Sequence, residues 1–345
     1  MKVTAMIGAG MVARTHVAAC TAAREKLRLK GILSRSGEKA SALAMEASGL
    51  SGDRTVVYKS IDELAGDSEV DFVIVATPPN VRGELIKPLV YAGKHILLEK
   101  PIGRNVMEAR EIVTMCRNAG VTLGIVFQHR ARMASSIAKA MINAGKFGEL
   151  GLAEFDIPWW RDQNYYDEPG RGSYARDGGG VLISQAIHTI DLGLSLAGPV
   201  KSVFAMARTS RFHQMESEDF VVAGLEFDNG AIGSLKASTA SFPGSSESIN
   251  LYFEKASLNL EAGQLRVTWR SGKVDTYGDE TSTGGGADPM AFTHEWHQRV
   301  FENFSDALSN NSEPLASGAQ ALAAHELIDA TVRSAESGTI QYLNT

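Results

Sequence analysis

MKVTAMIGAGMVARTH, residues 1–16, decides how this chain begins to fold. Val3 to Ile7 is a short apolar run, Gly8, Gly10 and Ala13 follow it, and residues 11–24 are helix-compatible. Strand, glycine-rich turn and helix in that order are the context in which G-x-G-x-x-G/A reads as a dinucleotide fingerprint rather than as an ordinary turn. Gly8 permits the tight turn, Gly10 lets the backbone approach a pyrophosphate, and Ala13 lets helix and strand pack closely. The free N–H groups where the helix begins, at Met11 and Val12, together with the positive end of the helix macrodipole, would hold the anion.

Outward from this stretch, strand and helix patterns alternate. Strands are expected at 29–33, 55–58, 71–76, 95–98 and 121–127, and helices at 39–47, 81–92 and 105–118. DFVIVA, residues 71–76, is almost wholly apolar, as a strand covered on both faces of a parallel sheet should be. Ala119-Gly120 is a helix C-cap signal. The series predicts an α/β fold: an N-terminal Rossmann domain with a doubly wound parallel sheet over residues 1–127. At 345 residues there is room for about one more domain, taken as residues 128–345.

Composition narrows the function classes. The chain is 44% hydrophobic and 21% charged, ordinary for a soluble globular protein. Its net charge is −6 and it has no basic block, which argues against a nucleic-acid partner or an anionic membrane surface. Cys20 and Cys116 make neither a metal-binding spacing nor a disulfide framework, which suits a reducing, cytoplasmic setting. The first apolar stretch reads as a strand feeding a turn, not as a signal peptide. No run reaches the ~18 apolar residues that a bilayer span requires.

The end of the second strand selects the cofactor variant. A NAD-preferring site places Asp or Glu there, to bond the ribose 2′-hydroxyl. Ser34-Arg35-Ser36 stands in that place. Arg35 offers a planar, permanently charged fork for a 2′-phosphate, and Lys39 could add a second charge. NADP is therefore expected over NAD, the alternative being that Arg35 is a solvated surface charge. Two further loops follow carboxyl ends of strands, where ligands of such sheets lie. In Thr77-Pro78-Pro79-Asn80, Thr77 and Asn80 are candidate cofactor contacts, although both are also good helix caps. In Glu99-Lys100-Pro101, Glu99 and Lys100 are candidates, with Lys100 beside the nicotinamide; an ordinary exposed ion pair is the plainer alternative.

GAGMVARTH at 8–16, TPPN at 77–80, EKP at 99–101 and DGGGVLISQAIHTID at 177–191 occur in one chain in that order. Together they resemble the Gfo/Idh/MocA family, the glucose–fructose oxidoreductase, inositol dehydrogenase and related sugar dehydrogenases. The resemblance runs over essentially the whole chain. Within the family it is nearest to enzymes of sugars and sugar acids, including nucleotide-sugar 3-dehydrogenases. It implies a Rossmann domain followed by a C-terminal α+β domain with a large open, mostly antiparallel sheet. It also implies that Lys100 and His188 lie beside the substrate. There are two departures. Arg82 stands where many members have His, and Ser184, followed by Gln185, where many have Asp four residues before the helix His. The second removes a candidate carboxylate and weakens any transfer of substrate contacts from inositol-type enzymes.

In the second half, Gln128 would reach the cofactor amide or the substrate if the resemblance holds. WWRDQNYYDEPGRGSYAR, residues 159–176, is aromatic and cationic without periodicity, a composition suited to a loop lining a polar pocket. Arg161, Tyr166 and Arg171 are its candidate substrate contacts, and several cations suggest a carboxylate or phosphate on the substrate. Core or oligomer contacts are the alternative for the aromatic residues. Gly178 to Gly180 opens a helix at 181–196, on which His188 and Asp191 are i, i+3 and share a face with Ser184. Residues 200–267 alternate as five to seven antiparallel strands, with Asp228-Asn229-Gly230 as a hairpin signal. No second helix layer is evident for that sheet, so a homodimer or homotetramer is expected through it. Residues 281–288 read as a flexible loop, and 289–308 and 317–334 as terminal helices. His294 and His297 are taken as structural or pocket-rim residues, and no metal is expected.

These observations predict a dehydrogenase that moves a hydride between NADP, or NAD, and a hydroxyl carbon of a small carbohydrate-like substrate: a sugar, sugar acid, nucleotide sugar or cyclic polyol. The cofactor carries the hydride chemistry. His188 is the candidate acid/base and Lys100 the group that holds the reacting oxygen, or the reverse; Asp191 fixes a substrate hydroxyl or orients the site. A non-catalytic NADP(H)-binding regulator and a dehydrogenase of dihydrodiols or other small hydroxy compounds are the competing readings.

Overall fold

The structure is a computed structural model that describes residues 1–281 and 292–343. The loop expected at 281–288 and the start of the helix expected at 289 therefore lie, but for Thr281, outside the described residues. The chain divides into two units, 1–103 with 107–131 and 293–322, and 104–106 with 132–292 and 323–345.

In the first unit the strands are β1 (Lys2–Ile7), β2 (Leu27–Leu33), β3 (Val56–Val57), β4 (Phe72–Val75), β5 (His95–Leu98) and β6 (Leu123–Ile125). The helices among them are α1 (Ala13–Ala22), α2 (Gly37–Ser51), α3 (Ile61–Gly66), α4 (Arg82–Tyr91) and α5 (Val106–Asn118). All neighbouring strands are parallel, in the order β3-β2-β1-β4-β5-β6. The order reverses between β1 and β4, and the crevice outside the carboxyl ends at such a reversal is where these sheets bind ligands. Every residue of β4 is buried, which is why its sequence carries no polar alternation. The helix α3 was not read from the sequence, although its signal is present. Ser60 accepts from the Glu63 N–H at 3.1 Å, and Glu63 reaches back to the Lys59 N–H at 2.6 Å, a variant of the capping box.

The first unit does not end at residue 127. The helix α9 (Glu295–Asn310) returns to it and buries Trp296, His297, Val300, Phe301 and Phe304 on one face. Phe301 and Phe304 join Met6, Phe72 and Ile74 in one apolar cluster. A domain of residues 128–345 taken as one contiguous piece is thus corrected: the apolar stripe of α9 finds its cover on α1 and on the core of the parallel sheet.

The second unit carries α6 (Met133–Asn143), β7 (Leu150–Pro158), α7 (Gln163–Tyr166), α8 (Ile187–Ala197) and strands β8 (Val200–Arg208), β9 (Phe220–Phe227) and β10 (Ile232–Ser238). Then come β11 (Ser248–Phe253), β12 (Ala256–Glu261), β13 (Gln264–Trp269), β14 (Val274–Tyr277) and β15 (Gln341–Tyr342). The helix α10 (Gly318–Ser337) belongs to this unit from residue 323 onward. The nine strands form one sheet in the order β14-β13-β12-β11-β7-β10-β9-β8-β15, antiparallel except where β7 meets β10. One face lies against α6 and α8, with Gly193 of α8 seated directly on the Phe155 ring. The other face exposes Phe204, Met206, Val222, Ile232 and Tyr252. Among the described residues no helix is long and apolar enough to cross a membrane.

Candidate active site

The glycine-rich turn is built as its spacing requires. Gly8 has φ +114°, and a Cβ there would lie 2.4 Å from the Ala76 carbonyl oxygen at the end of β4. Gly10 differs: among the described residues nothing lies within 4 Å of the position its Cβ would take, so their packing does not demand glycine there. Ala13 is buried at the start of α1, while Met11 is exposed and Val12 half-buried, and no side chain caps that helix. An uncapped N-terminus beside open space is what an anion needs. Two further groups in this unit await a partner: Thr77 Oγ1 and Gln128 Oε1 are buried and make no hydrogen bond among the described residues. Capping does not explain the TPPN loop, because Val81 precedes α4 and no side chain caps it; Asn80 is exposed in a single 3₁₀ turn. These features fit a dinucleotide. When bound, it would supply the hydride acceptor or donor. At the end of β2, Ser34 is half-buried, Arg35 and Lys39 are exposed, and Ser36 Oγ caps α2.

The Glu99 carboxylate, a candidate cofactor contact, is held by groups of the protein. Its Oε1 accepts from His16 Nε2 at 2.8 Å, and its Oε2 accepts from the Lys100 N–H at 3.1 Å. Burial alone would raise its pKa; the His16 hydrogen bond and the charges of His16, His297 and Lys100 hold it well below the usual carboxylate range. His297 Nε2 lies 3.9 Å from Glu99 Oε1, and its ring meets that of His16 edge-on at 5.3 Å. Burial, the His16 charge and the Lys100 charge push His297 well below its ordinary value, against the pull of Glu99. His297 is therefore a core residue rather than one on a pocket rim. The metal-ligand type atoms of His16, Glu99 and His297 lie within 4.8 Å of one another, and His16 and Glu99 are hydrogen-bonded. Lys100, the next residue, is half-buried, and the Lys100–Pro101 bond is cis.

In the second unit, Gly178 and Gly180 are required by close approaches. A Cβ at Gly178 would lie 2.1 Å from the Arg104 carbonyl oxygen, and one at Gly180 1.8 Å from that of Glu218. The buried Glu218 carboxylate accepts from the N–H groups of Gly180 and Leu182 at 3.3 and 3.1 Å, and its carbonyl accepts from Val181 at 2.8 Å. Burial pushes its pKa up. Glu218 thus anchors the start of the segment that bears His188. Residues Leu182–Ala186 form one π-turn before α8, a widened turn often found at functional sites. Ser184 sits in that turn, half-buried; His188 and Asp191 are buried on α8. Two neighbours were missed by the sequence reading: Gln185 Oε1 and Thr189 Oγ1 are buried without a hydrogen-bond partner among the described residues. Their closeness to His188 along the helix was the available signal.

The aromatic and cationic loop is more tightly packed than its composition suggested. The Tyr166 hydroxyl is 2.6 Å from Thr239 Oγ1 and buried. Arg171 pairs with Glu168 at 2.6 Å and lies over the Tyr165 ring. Arg161 is buried, donates to the Trp160 carbonyl at 2.6 Å and stacks over Trp159 and Tyr165. Glu168 and Asp177 from the same stretch pair with Arg171, and Glu168 also with Arg176.

Two family models match the chain. Residues 2–127 match the oxidoreductase family, NAD-binding Rossmann fold, and residues 136–259 match the GFO/IDH/MocA C-terminal domain. Among solved structures, the chain is similar to the WlbA dehydrogenase of Bordetella pertussis in complex with NADH and UDP-GlcNAcA. The identity is 26%, the coverage 100% of both chains and the TM-score 0.81. It is 29% identical over 236 residues, 66% of each chain, to the 1,5-anhydro-D-fructose reductase of Ensifer adhaerens. It is 31% identical over 170 residues to an uncharacterised oxidoreductase of Schizosaccharomyces pombe. That match takes in 48% of this chain and spans less than half, 45%, of the relative's length. With both halves matched in order, and with the dinucleotide turn and the C-terminal sheet where those halves place them, the chain belongs to the GFO/IDH/MocA family of oxidoreductases.

Proposed function

We propose that the protein is an NAD(P)-dependent dehydrogenase of a CH–OH group on a small carbohydrate-like substrate, with preference for NADP. The observation that carries the reading is that a chain matching the family over both halves retains Lys100 and His188. A regulator that only bound the cofactor would have no need of either. Lys100 binds the reacting oxygen and stabilises the negative charge that develops on it, while His188 accepts or returns the hydroxyl proton. Asp191, one turn along the same helix, orients the imidazole or a substrate hydroxyl. The preference for NADP rests on Arg35 standing exposed where a carboxylate would repel a 2′-phosphate. The carbohydrate class rests on the relatives, one a sugar reductase and one held with a nucleotide sugar acid. The exposed apolar face of the second unit's sheet supports self-association as a homodimer or homotetramer.

The test is a reduction screen over sugars, sugar acids, nucleotide sugars and cyclic polyols with each cofactor. Turnover on a member of these classes, with higher kcat/KM for NADP, is the expected result. Tight cofactor binding with no turnover on any of them would turn the reading to a regulator.

A further inference from the structure

Arg82 is the first residue of α4 and is buried. Among the described residues its guanidinium donates to main-chain oxygens. Nε and Nη2 donate to the Thr77 carbonyl at 3.0 and 2.6 Å, Nη1 donates to the Glu99 carbonyl, and Nη2 donates to the Lys100 carbonyl at 3.4 Å. Thr77 follows β4, and Glu99 and Lys100 follow β5, so a single side chain grips both loops at adjacent carboxyl ends of the sheet. Burial, against the pull of the Glu99 charge, lowers the guanidinium pKa to about 10, so the group stays charged near neutrality. The planar fork, with donors on three nitrogens, reaches three carbonyls at once from one fixed plane.

We propose that Arg82 is a positioning residue that fastens the Thr77 loop to the Glu99–Lys100 backbone and so fixes where the Lys100 side chain begins. The role rests on the dehydrogenase reading for its catalytic consequence, but the fastening itself does not. Beneath the same turn, the Glu99 carboxylate is held by His16, so Lys100 is anchored by its carbonyl from one side and by its N–H from the other. Displacing such a group by about 1 Å can cost as much as 10²-fold in rate without loss of binding.

The experiment compares the full-length chain with Arg82→Lys and, should that variant fail to fold, Arg82→Gln. Hydrogen exchange is followed in peptides covering 76–81 and 97–104. The expected result is faster exchange in both peptides together, by about tenfold or more, with the remaining sheet unaffected. In steady state, kcat falls about tenfold or more while KM for the cofactor stays within about threefold; in a third variant, Arg82→Ala, millimolar guanidinium restores part of kcat. Exchange that rises only around 76–81, or kcat unchanged in a folded variant, would overturn the assignment. The exchange arm needs no substrate. If the unaltered chain turns over nothing in the screen, the dehydrogenase reading fails while the fastening is still decided.

Discussion

The two glycines of the first turn are alike in sequence and different in physics. Gly8 is held by its backbone angle and by the Ala76 carbonyl, whereas Gly10 faces open space. Gly8→Ala is expected to destabilise the fold by about 2 kcal/mol or more, because a Cβ must both adopt a positive φ and displace main chain. Gly10→Ala should leave the melting temperature within about 2 °C but weaken NADPH binding about tenfold or more, as read by nucleotide fluorescence. Equal effects of the two on melting would contradict the assignment of Gly10 to the ligand. The proposed catalytic pair belongs to the same scale. Lys100→Met and His188→Ala should each lower kcat by about 10²-fold or more, with cofactor affinity retained. Near-normal turnover in both would remove them from the chemistry. Gly8 was legible because a strand-turn-helix fingerprint is local. The Glu99–His16–His297 group was not, because its members come from α1, the end of β5 and α9, and nothing in the EKP tripeptide names its partners.

At the scale of the element, α9 makes the first unit sensitive to acid. His297 is held neutral in the fold, with its pKa near 3 against an ordinary 6.5, and Glu99 is held ionised, near 2 against 4.5. Both folded values lie below the unfolded ones. The unfolded chain therefore binds the extra proton first, and the stability present at higher pH is lost as pH falls. Between pH 6.5 and 4.5 only His297 of the two changes, by up to about 1.4 kcal/mol per pH unit. Urea melts of His297→Leu should show a shallower decline than the unaltered chain over that interval. Parallel declines would place the acid sensitivity elsewhere. A helix was legible in the pattern, expected at 289–308 and observed at Glu295–Asn310. Its destination was not, since an amphipathic stripe states that it will be covered and not by what.

At the scale of the molecule, the nine-stranded sheet has one face under α6 and α8 and one exposed. Met206 is opposite Val222, and Phe204 opposite Gly224, so the exposed apolar side chains lie side by side across β8 and β9. Sedimentation equilibrium should find the unaltered chain as a dimer or tetramer, and the pair Phe204→Lys with Met206→Lys should shift it toward the monomer while far-ultraviolet dichroism is unchanged. A monomeric unaltered chain would end the expectation.

The parallel sheet, the dinucleotide turn and the strands of the second half were legible in the amino-acid order, because period, glycine placement and apolar runs are properties of neighbours along the chain. Only the folded chain decided that α9 completes the first unit, that the Glu99 carboxylate bonds to His16, and that Arg171 and Arg176 pair with Glu168. Each of these is a choice among several chemically adequate partners, and only the three-dimensional path of the backbone brings one of them within reach.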